Sequence, residues 1–425
     1  MLTYKSIPIK INKHHQLYNW CKTICTESKG IIDYATYIRR QNFFEGSKSG
    51  NHKSEKELSK LFRDTVNKQQ LGHTQLTTTL WNKTKSNWFS FYTMLKNGLK
   101  PHIPNYLKHN GKQFGYIEYH IGQNNSPARI KNNTIYFNGT HKNKLKLNMD
   151  IQGTIKTILI NYTNGSFWIH INYQLETEIN MNDPQNVASI DIGINNLLTV
   201  TFNNGHKPLI ISGKLLKSIN QYYNKQKAKL QSKLETSHRI SNRINRLTEK
   251  RNLKINDIKH VITKQLSQLL NERRIGTLII GWNKESKSQS NMSKTNNQKF
   301  ISIPHRSIIN SLKDKCKLFL NVVETEESYT SKSSFIDQDE LPIFDKTTIS
   351  KYRFSGSRIK RGLYKSKTGL LINADVNGSY NIMRKAIPNV ILRNKHGIEG
   401  FIVDPLRISN PYKLSTVLHE SALPA

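Results

Sequence analysis

The residues of this chain that could carry out chemistry are a few acidic side chains, each at or beside the predicted end of a strand. They are Asp191, the neighbouring pair Glu326 and Glu327, and Asp375. A site for two divalent metal ions requires several carboxylates to converge from distant segments. Asp191 and Asp375 are 375 − 191 = 184 residues apart in the sequence, so only a folded core can bring them together.

The net charge is the strongest feature of the composition. The 425 residues include 65 Lys and Arg but only 29 Asp and Glu, which gives a formal net charge of +36. An excess of this size favours nucleic acid as the partner, because neutralising phosphates releases counterions. A coding bias toward Lys, Asn and Ile could inflate the basic count, but it does not explain why Asp and Glu are scarce. This positive charge, together with a few acidic residues at strand ends, is typical of a protein that binds a polyanion and cleaves it.

The cysteines and the apolar runs bear on the compartment. Cys21, Cys25 and Cys316 are the three cysteines, too few for a disulfide scaffold, which indicates an intracellular protein. The first residues lack the apolar region of a signal peptide, and no apolar run approaches the ~18 residues of a membrane span. We therefore expect a cytoplasmic protein without membrane segments, associated with the nucleoid when it is bound to DNA. Cys21 and Cys25, four apart in a predicted helix, are expected to be buried free thiols.

A β-rich module with a helical insertion is expected in the first part of the chain. Residues 1–12 alternate as one strand, residues 13–104 are expected to be mainly helical, and residues 105–183 return to strand periodicity. Asn164-Gly165, between two alternating apolar runs, predicts a hairpin. We interpret the two strand-rich stretches as one β-barrel-like module.

Residues 184–390 are expected to form an α/β domain of the ribonuclease H type. A buried-strand pattern from Val187 ends at Asp191, and a hairpin follows. Residues 213–272 then predict two long, basic helices, and two further buried strands with a helix between them come next. This order of strands and helices suits that fold class.

The last part of the chain predicts a polar insertion, a helix and a tail. Residues 332–372 are polar and predict an inserted loop or hairpin, after which Asp375 opens a helix over Asn377 to Lys385. Residues 391–425 are expected to form a C-terminal tail.

The basic helical hairpin over residues 213–272 is the candidate surface for nucleic acid. It is either a solvated surface or a positive wall for a duplex, and one face can pack while the other binds. The candidate binding residues are Lys225, Lys227, Lys229, Arg239 and Arg243.

Several stretches carry a family resemblance. They are Ser189-Ile190-Asp191-Ile192-Gly193, Glu327-Ser328-Tyr329-Thr330-Ser331-Lys332, Ala374-Asp375-Val376-Asn377-Gly378-Ser379-Tyr380-Asn381-Ile382, Trp88-Phe89-Ser90-Phe91-Tyr92 and Pro101-His102-Ile103-Pro104-Asn105-Tyr106. In order and spacing, over nearly the whole chain, they resemble the TnpB proteins, RNA-guided DNA endonucleases of insertion sequences that are related to the type V CRISPR effectors.

The resemblance implies roles for the domains and residues. Residues 184–390 would be a RuvC-like nuclease domain, residues 13–104 a helical recognition domain, and the β-rich module wedge-like. Asp191, Glu327 and Asp375 would be the catalytic residues and the ligands of two Mg²⁺ ions. A guide RNA would pair with target DNA, while the protein reads duplex shape and a short flanking motif.

One departure from the family pattern concerns the middle catalytic glutamate. It usually ends the strand that here contains Leu278-Ile279-Ile280, but Gly281 occupies the acidic position. Glu327 is the favoured replacement, Glu326 its substitute, and Glu285 a weaker candidate. The alternative is a nuclease-dead, RNA-guided DNA-binding repressor. A DNA transposase proper would share an acidic triad, but the strand–helices–strands order of the first half fits guided nucleases better.

A second departure concerns zinc. Members often carry two cysteine pairs after the Thr330-Ser331 segment, but residues 332–372 contain no Cys or His. A structural zinc site needs about four such ligands, so we expect no zinc there. The oligomeric state is left open.

Overall fold

The computed structural model describes residues 1–66, 71–108, 113–122, 126–138, 142–234, 241–283, 303–343, 352–360, 362–390 and 405–414. The chain divides into two compact units, Met1–Thr177 and Glu178–Ala425, and each is described by itself. The division falls six residues (183 − 177) before the boundary predicted at Asp183-Pro184. None of the helices within these ranges is long and apolar enough to cross a membrane.

In its described residues, the first unit combines strands with three helices. In chain order its elements are β1 (Leu2–Ile11), α1 (Tyr18–Ser49), α2 (Glu55–Thr65), α3 (Thr74–Lys96), β2 (Tyr116–His120), β3 (Ala128–Lys131), β4 (Thr134–Phe137), β5 (Lys144–Lys146), β6 (Thr154–Thr163) and β7 (Ser166–Glu176). The strands form two sheets, in the orders β1-β7-β6-β2 and β3-β4-β5. The helices lie in the chain between β1 and β2, whereas β1 pairs antiparallel with β7. Barrel-like closure and a recognition role for the helices stay predictions.

Helix α1 is longer than its sequence predicts. The polar stretch over residues 46–51 predicts a loop, but α1 continues through Gly46 and ends at Ser49. Gly50 follows with φ 70°, the left-handed conformation that favours glycine at a helix end. Gly46 is buried, and a Cβ atom there would overlap the His52 ring. The glycine at 46 therefore marks a close approach of two segments and does not end the helix.

The two cysteines of α1 are buried free thiols, as their spacing predicts. Burial raises the pKa of the Cys21 thiol to about 12, so both side chains act as small apolar residues of the first core.

The second unit is built on one large sheet. Its elements are β8 (Val187–Ile192), β9 (Asn196–Phe202), β10 (Leu209–Ser212), α4 (Lys214–Gln231), α5 (Asn242–Glu272), β11 (Thr277–Gly281), α6 (His305–Cys316), β12 (Asn321–Thr325), β13 (Ser357–Lys360), β14 (Leu363–Lys365), β15 (Leu371–Asn373), α7 (Ala374–Ala386), β16 (Leu406–Ile408) and a 3₁₀ turn (Pro411–Lys413). The central sheet has the order β12-β11-β8-β9-β10-β16, and β13, β14 and β15 form a small separate sheet.

The direction of the strands in the central sheet decides where a site can form. Strand β9 is antiparallel to both of its neighbours, β8 and β10, whereas β11 is parallel to both β8 and β12. The strands β8 and β11 are nearly continuous buried runs, as expected for strands covered on both faces. This topology agrees with the predicted ribonuclease H type, and it brings the carboxyl ends of β8, β11 and β12 to one edge.

Two boundaries in this unit differ from the sequence prediction. Helix α7 begins at Ala374, three residues before Asn377, because the Asn373 side chain accepts hydrogen bonds from the N–H groups of Asp375 (3.0 Å) and Val376 (3.2 Å). Within the predicted tail, β16 joins the sheet in parallel with β10. A three-residue strand is too short to show a periodic pattern, so the sequence did not predict it.

Candidate active site

Two of the predicted acidic residues reach the same edge of the sheet from neighbouring strands. Asp191 lies in β8, one residue before its end, and Glu327 follows the end of β12 by two residues. The strand between them, β11, ends at Gly281, which pairs with Thr325 of β12. The carboxyl ends of parallel strands therefore place these two side chains at one edge.

Asp375 is brought to this edge by a buried cluster of hydroxyl groups between α7 and the sheet. Ser379 Oγ donates to the carbonyl oxygens of Ser189 and Thr199 (both 3.1 Å), and the Ser189 hydroxyl donates to the carbonyl of Ser379 (2.7 Å). Ser189 lies two residues before Asp191, on the same side of the strand. Ser379 lies four residues after Asp375, on the same side of the helix. The cluster therefore fixes the register that sets Asp375 beside Asp191.

Asp191 has the most perturbed electrostatic environment among these carboxyls. Burial, and then the charges of Asp375 and Glu327, raise its pKa from 3.8 to about 8, although Arg358 opposes the rise. Gly378 lets α7 approach closely, since a Cβ atom there would lie 3.1 Å from Asp191 Oδ2. Asp191 is therefore at the centre of a cluster of interacting carboxyls.

Glu327 occupies the space that a side chain at position 281 would enter. A Cβ atom built on Gly281 would lie 3.3 Å from Glu327 Oε2 and 2.4 Å from Ile382 Cδ1. Burial and the neighbouring charge of Glu326 raise the pKa of Glu327, while Lys385 opposes the rise. The carboxylate missing from β11 thus has a counterpart that comes from the segment after β12.

Glu326 is turned away from this cluster. Its carboxylate forms an ion pair with Lys385 and accepts a hydrogen bond from the N–H of Ser328. Burial opposes the shift, but the hydrogen bonds from Lys385 and Ser328 lower the pKa of Glu326. Of the two neighbouring glutamates, the structure therefore places Glu327 with Asp191. The weaker candidate Glu285 lies outside the described residues.

Asp375 has two partners that the sequence did not indicate. Its Oδ2 accepts from Asn196 Nδ2 (2.6 Å), and its Oδ1 accepts from Arg358 Nη2 (3.2 Å). Asn196 opens β9 and Arg358 lies in β13. Both depend on tertiary placement, and neither stands in a motif that could have identified it.

The carboxyl cluster fits a hard divalent cation in the chemistry of its donors. Carboxylate oxygens are the ligands that Mg²⁺ takes, and the raised pKa of Asp191 marks negative charge that a cation would relieve. As arranged, with Asp375 held by Arg358 and Asn196, no group of three or more His, Cys, Asp or Glu among the described residues could hold one metal ion.

The predicted nucleic-acid residues lie on α4 and at the start of α5. Lys225, Lys229 and Arg243 are exposed, whereas Lys227 is half-buried, with its ammonium 5.9 Å from the centre of the Tyr223 ring. Arg239 lies outside the described residues. The exposed side chains are available to a polyanion, and this role stays a prediction.

Sequence comparisons identify relatives for much of the chain. A model of the IS605 OrfB family, described as a probable transposase, matches residues 170–287. The TnpB-like protein ORF457 of Acidianus two-tailed virus is 22% identical over 426 residues, an alignment that covers 90% of this chain and 86% of that protein.

One solved structure shares the fold. The cryo-EM structure of a Cas12f1–sgRNA–target DNA complex aligns with a TM-score of 0.51 at 15% identity, covering 86% of this chain and 82% of that one. A CRISPR-Cas12f ternary complex aligns with a TM-score of 0.35 at 13% identity. The first of these supports a RuvC-like fold for the α/β half, as predicted. The family model and the curated relative show that this chain is similar in sequence to TnpB-like proteins, and the first solved structure shows a similar fold.

Proposed function

We propose that this protein is an RNA-guided DNA endonuclease of the TnpB type. The observation that carries the proposal is the cluster of Asp191, Glu327 and Asp375, which comes from three separate segments at one edge of the central sheet. The similarity to a TnpB-like protein and the net charge of +36 support the same function.

The reaction we propose is hydrolysis of a phosphodiester bond. Asp191, Glu327 and Asp375 would hold two Mg²⁺ ions, which when bound would supply the activation of water and the stabilisation of the leaving 3′ oxygen. Asp191 interacts electrostatically with both of the other carboxyls, so its carboxylate would be central to holding the metal. Arg358 balances part of the negative charge of Asp375.

Guide RNA and target DNA are the proposed partners. The Cas12f1 structure that shares the fold contains both kinds of nucleic acid by its description. Exposed Lys225, Lys229 and Arg243 on the basic helices would contact the phosphate backbone without reading bases.

Cleavage by the full-length protein with its own RNA tests the proposal. RNA that copurifies with the protein would be sequenced, synthesised and combined with plasmids that carry a matching target beside randomised flanks. We expect cleavage that requires the RNA, the matched target and Mg²⁺, and that EDTA abolishes. Cleavage independent of the RNA, or no guide-dependent binding of the target, would contradict it.

A repressor that binds DNA under RNA guidance without cutting is the second candidate. It is favoured by the ion pair of Arg358 with Asp375 and by the lack of a ready metal-ligand group within the described ranges. Target binding with the native guide but no cleavage in Mg²⁺ or Mn²⁺ would support this alternative.

A further inference from the structure

Side chains on one face of α7 hold the segment that carries Glu327. Asn377, Asn381 and Lys385 are spaced four residues apart, so they lie on the same face of the helix. Their hydrogen bonds run from Asn377 Nδ2 to Ser333 O (2.8 Å), from Asn381 Nδ2 to Thr330 O (3.0 Å) and Ser333 O (2.7 Å), and from Lys385 Nζ to Ser328 O (2.8 Å) and Pro342 O (3.0 Å). The helix that supplies Asp375 thus also fixes the path of the segment that supplies Glu327.

Lys385 is the charged member of this face, and it is nearly buried. Its side chain is 7% exposed, whereas that of Glu326 is 38% exposed. An ammonium group has three donors, and here they meet the carbonyls of Ser328 and Pro342 and the carboxylate of Glu326. A buried ammonium requires such a complete set of partners, because an unpaired charge is costly to bury.

The partners of Lys385 lie on both sides of Glu327. Glu326 precedes it, Ser328 follows it, and both are tied to the same ammonium group. The Glu327 side chain is left near Gly281, with its charge coupled to Asp191. Because both glutamates lie beyond the last residue of β12, the sheet does not decide which of them turns inward.

We propose that Lys385 is a positioning residue that sorts the two glutamates, holding Glu326 and the Ser328 carbonyl against α7 so that Glu327 is directed toward Asp191. Its effect on cleavage rests on the proposed function, whereas the sorting itself can be tested without a nuclease assay. Without the ammonium group the segment loses three anchoring bonds, and either glutamate can turn toward the carboxyl cluster.

Hydrogen–deuterium exchange on the full-length protein tests the sorting directly. In Lys385→Met, which keeps the apolar stem and removes the charge, amide exchange over residues 326–343 should accelerate by roughly tenfold or more, while β8 stays protected. Lys332→Met is the matched control, since Lys332 is an exposed lysine of the same segment, and it should leave exchange unchanged. Unaltered exchange in Lys385→Met would overturn the proposal.

Cleavage and metal dependence provide the second readout. Lys385→Met should raise the Mg²⁺ concentration for half-maximal cleavage several-fold and leave guide and target binding unchanged. Adding Glu326→Gln to Lys385→Met should restore part of the lost activity, because the competing carboxylate is gone. A double variant no better than Lys385→Met would reject the sorting role. If the wild type does not cut, the proposed function fails, while the exchange measurement still decides the role of Lys385.

A conservative variant covers the case in which Lys385→Met does not fold. Lys385→Arg keeps the charge, but its planar guanidinium cannot direct three donors from one nitrogen to three converging oxygens. It should give intermediate exchange over residues 326–343 and an intermediate Mg²⁺ requirement. Wild-type values for both in Lys385→Arg would show that the geometry at the ammonium group is not needed, and would overturn the proposal.

Discussion

Three carboxyl groups at one edge of a sheet cannot all be ionised without cost. The charge of Asp191 is opposed by burial and by two neighbours, whereas Asp375 is balanced by Arg358. Perturbed groups of this kind cluster at functional sites, although structural ion pairs also produce them. The residue-scale predictions therefore concern which of these carboxylates the chemistry needs.

Asp191→Asn and Asp375→Asn should each abolish guided cleavage and leave guide and target binding nearly intact, because these side chains lie with one another at the strand edge and do not read bases. A loss of about 4 kcal/mol of transition-state stabilisation corresponds to roughly 1,000-fold in rate, which sets the expected scale. Cleavage rates and gel-shift affinities are the measurements. Asp314→Asn, an exposed aspartate of the same unit, should behave as the wild type. Lost RNA binding in either active-site variant would mean that its role is structural.

Glu327→Gln should be as inactive as Asp191→Asn, whereas Glu326→Gln should keep substantial activity. The two substitutions are matched in chemistry and differ by one position, but only Glu327 lies beside the Gly281 position. Single-turnover cleavage with the native guide measures both. The reverse order of activities would move the assignment to Glu326, and full activity in both would reject this segment as the source of the carboxylate.

The metal-free protein should become less stable as the pH rises, through Asp191. Its pKa is 3.8 for an unperturbed aspartate, as in the unfolded chain, and about 8 in the folded protein. Between these pH values the folded state therefore holds a proton that the unfolded chain has released. The stability linked to this proton is complete below pH ~4 and is lost as the pH approaches 8. In EDTA, Asp191→Asn should therefore gain more stability at about pH 8 than at about pH 5, by about 1–3 kcal/mol after allowing for partial exposure. Thermal unfolding measures this, and equal gains at both pH values would contradict it.

The sequence predicts the acidic residues of the site but not their partners. Asp191 and Glu327 could be found because each follows a short apolar run that marks a strand, although the structure buries this run in β8 and not in β12, where Val323 is exposed. Arg358 and Asn196 could not, because their role depends on how β13 and β9 approach α7 in space. The same limit applies to Lys385, whose burial against the Glu326 segment has no periodic signature.

At the scale of elements, α7 has three functions. Its first turn holds Asp375, the Ser379 hydroxyl fixes its register on β8, and its Asn377–Lys385 face holds the segment after β12. The sequence predicted a helix here but placed its start at Asn377, because the capping role of Asn373 depends on a turn that periodicity does not show. The prediction of a loop over residues 46–51 was wrong for a related reason, since Gly46 lies inside α1 and allows close packing against His52.

Close packing between β11 and α7 gives an element-scale prediction. Gly281→Ala would place a methyl group 2.4 Å from Ile382 Cδ1, and overpacking of this kind costs about 1–3 kcal/mol. Urea unfolding should show this loss. Combining it with Ile382→Val, which removes the clashing methyl, should cost less than the sum of the two single changes. Additive losses would show that Ile382 is not the source of the steric clash with a side chain at position 281.

At the scale of the whole molecule, the net charge of +36 is too large to be balanced by internal ion pairs. For the proposed binding of nucleic acid, we expect an affinity dominated by phosphate contacts and therefore sensitive to salt. The sequence alone gives the net charge, because the charge depends on composition and not on placement. Which helix face contacts nucleic acid does depend on placement, and the structure shows Lys225 and Lys229 exposed on α4.

Affinity for guide RNA and target should fall steeply with salt, with a log–log slope of several units. Lys225→Ala combined with Lys229→Ala should reduce that slope by roughly 1.5, because each phosphate contact contributes about 0.7–0.9. Lys227→Ala is the matched control on the same helix, and its half-buried ammonium near the Tyr223 ring should matter less. Binding measured by fluorescence anisotropy across a salt series checks both. A flat salt response of the wild type would contradict the nucleic-acid interpretation.

The pairing of Gly281 with Thr325 has a consequence for how such a site can change during evolution. Because the two strands end side by side, substitutions alone can lose an acid at the end of one strand and supply another from the segment after its neighbour. No insertion, deletion or change of topology is needed. The intermediate sequence would carry both acids and would need a smaller residue at Ile382 to admit the first of them. In this chain, a Cβ atom at position 281 would lie 2.4 Å from Ile382 Cδ1, so an acid at 281 would now need a change at Ile382 as well.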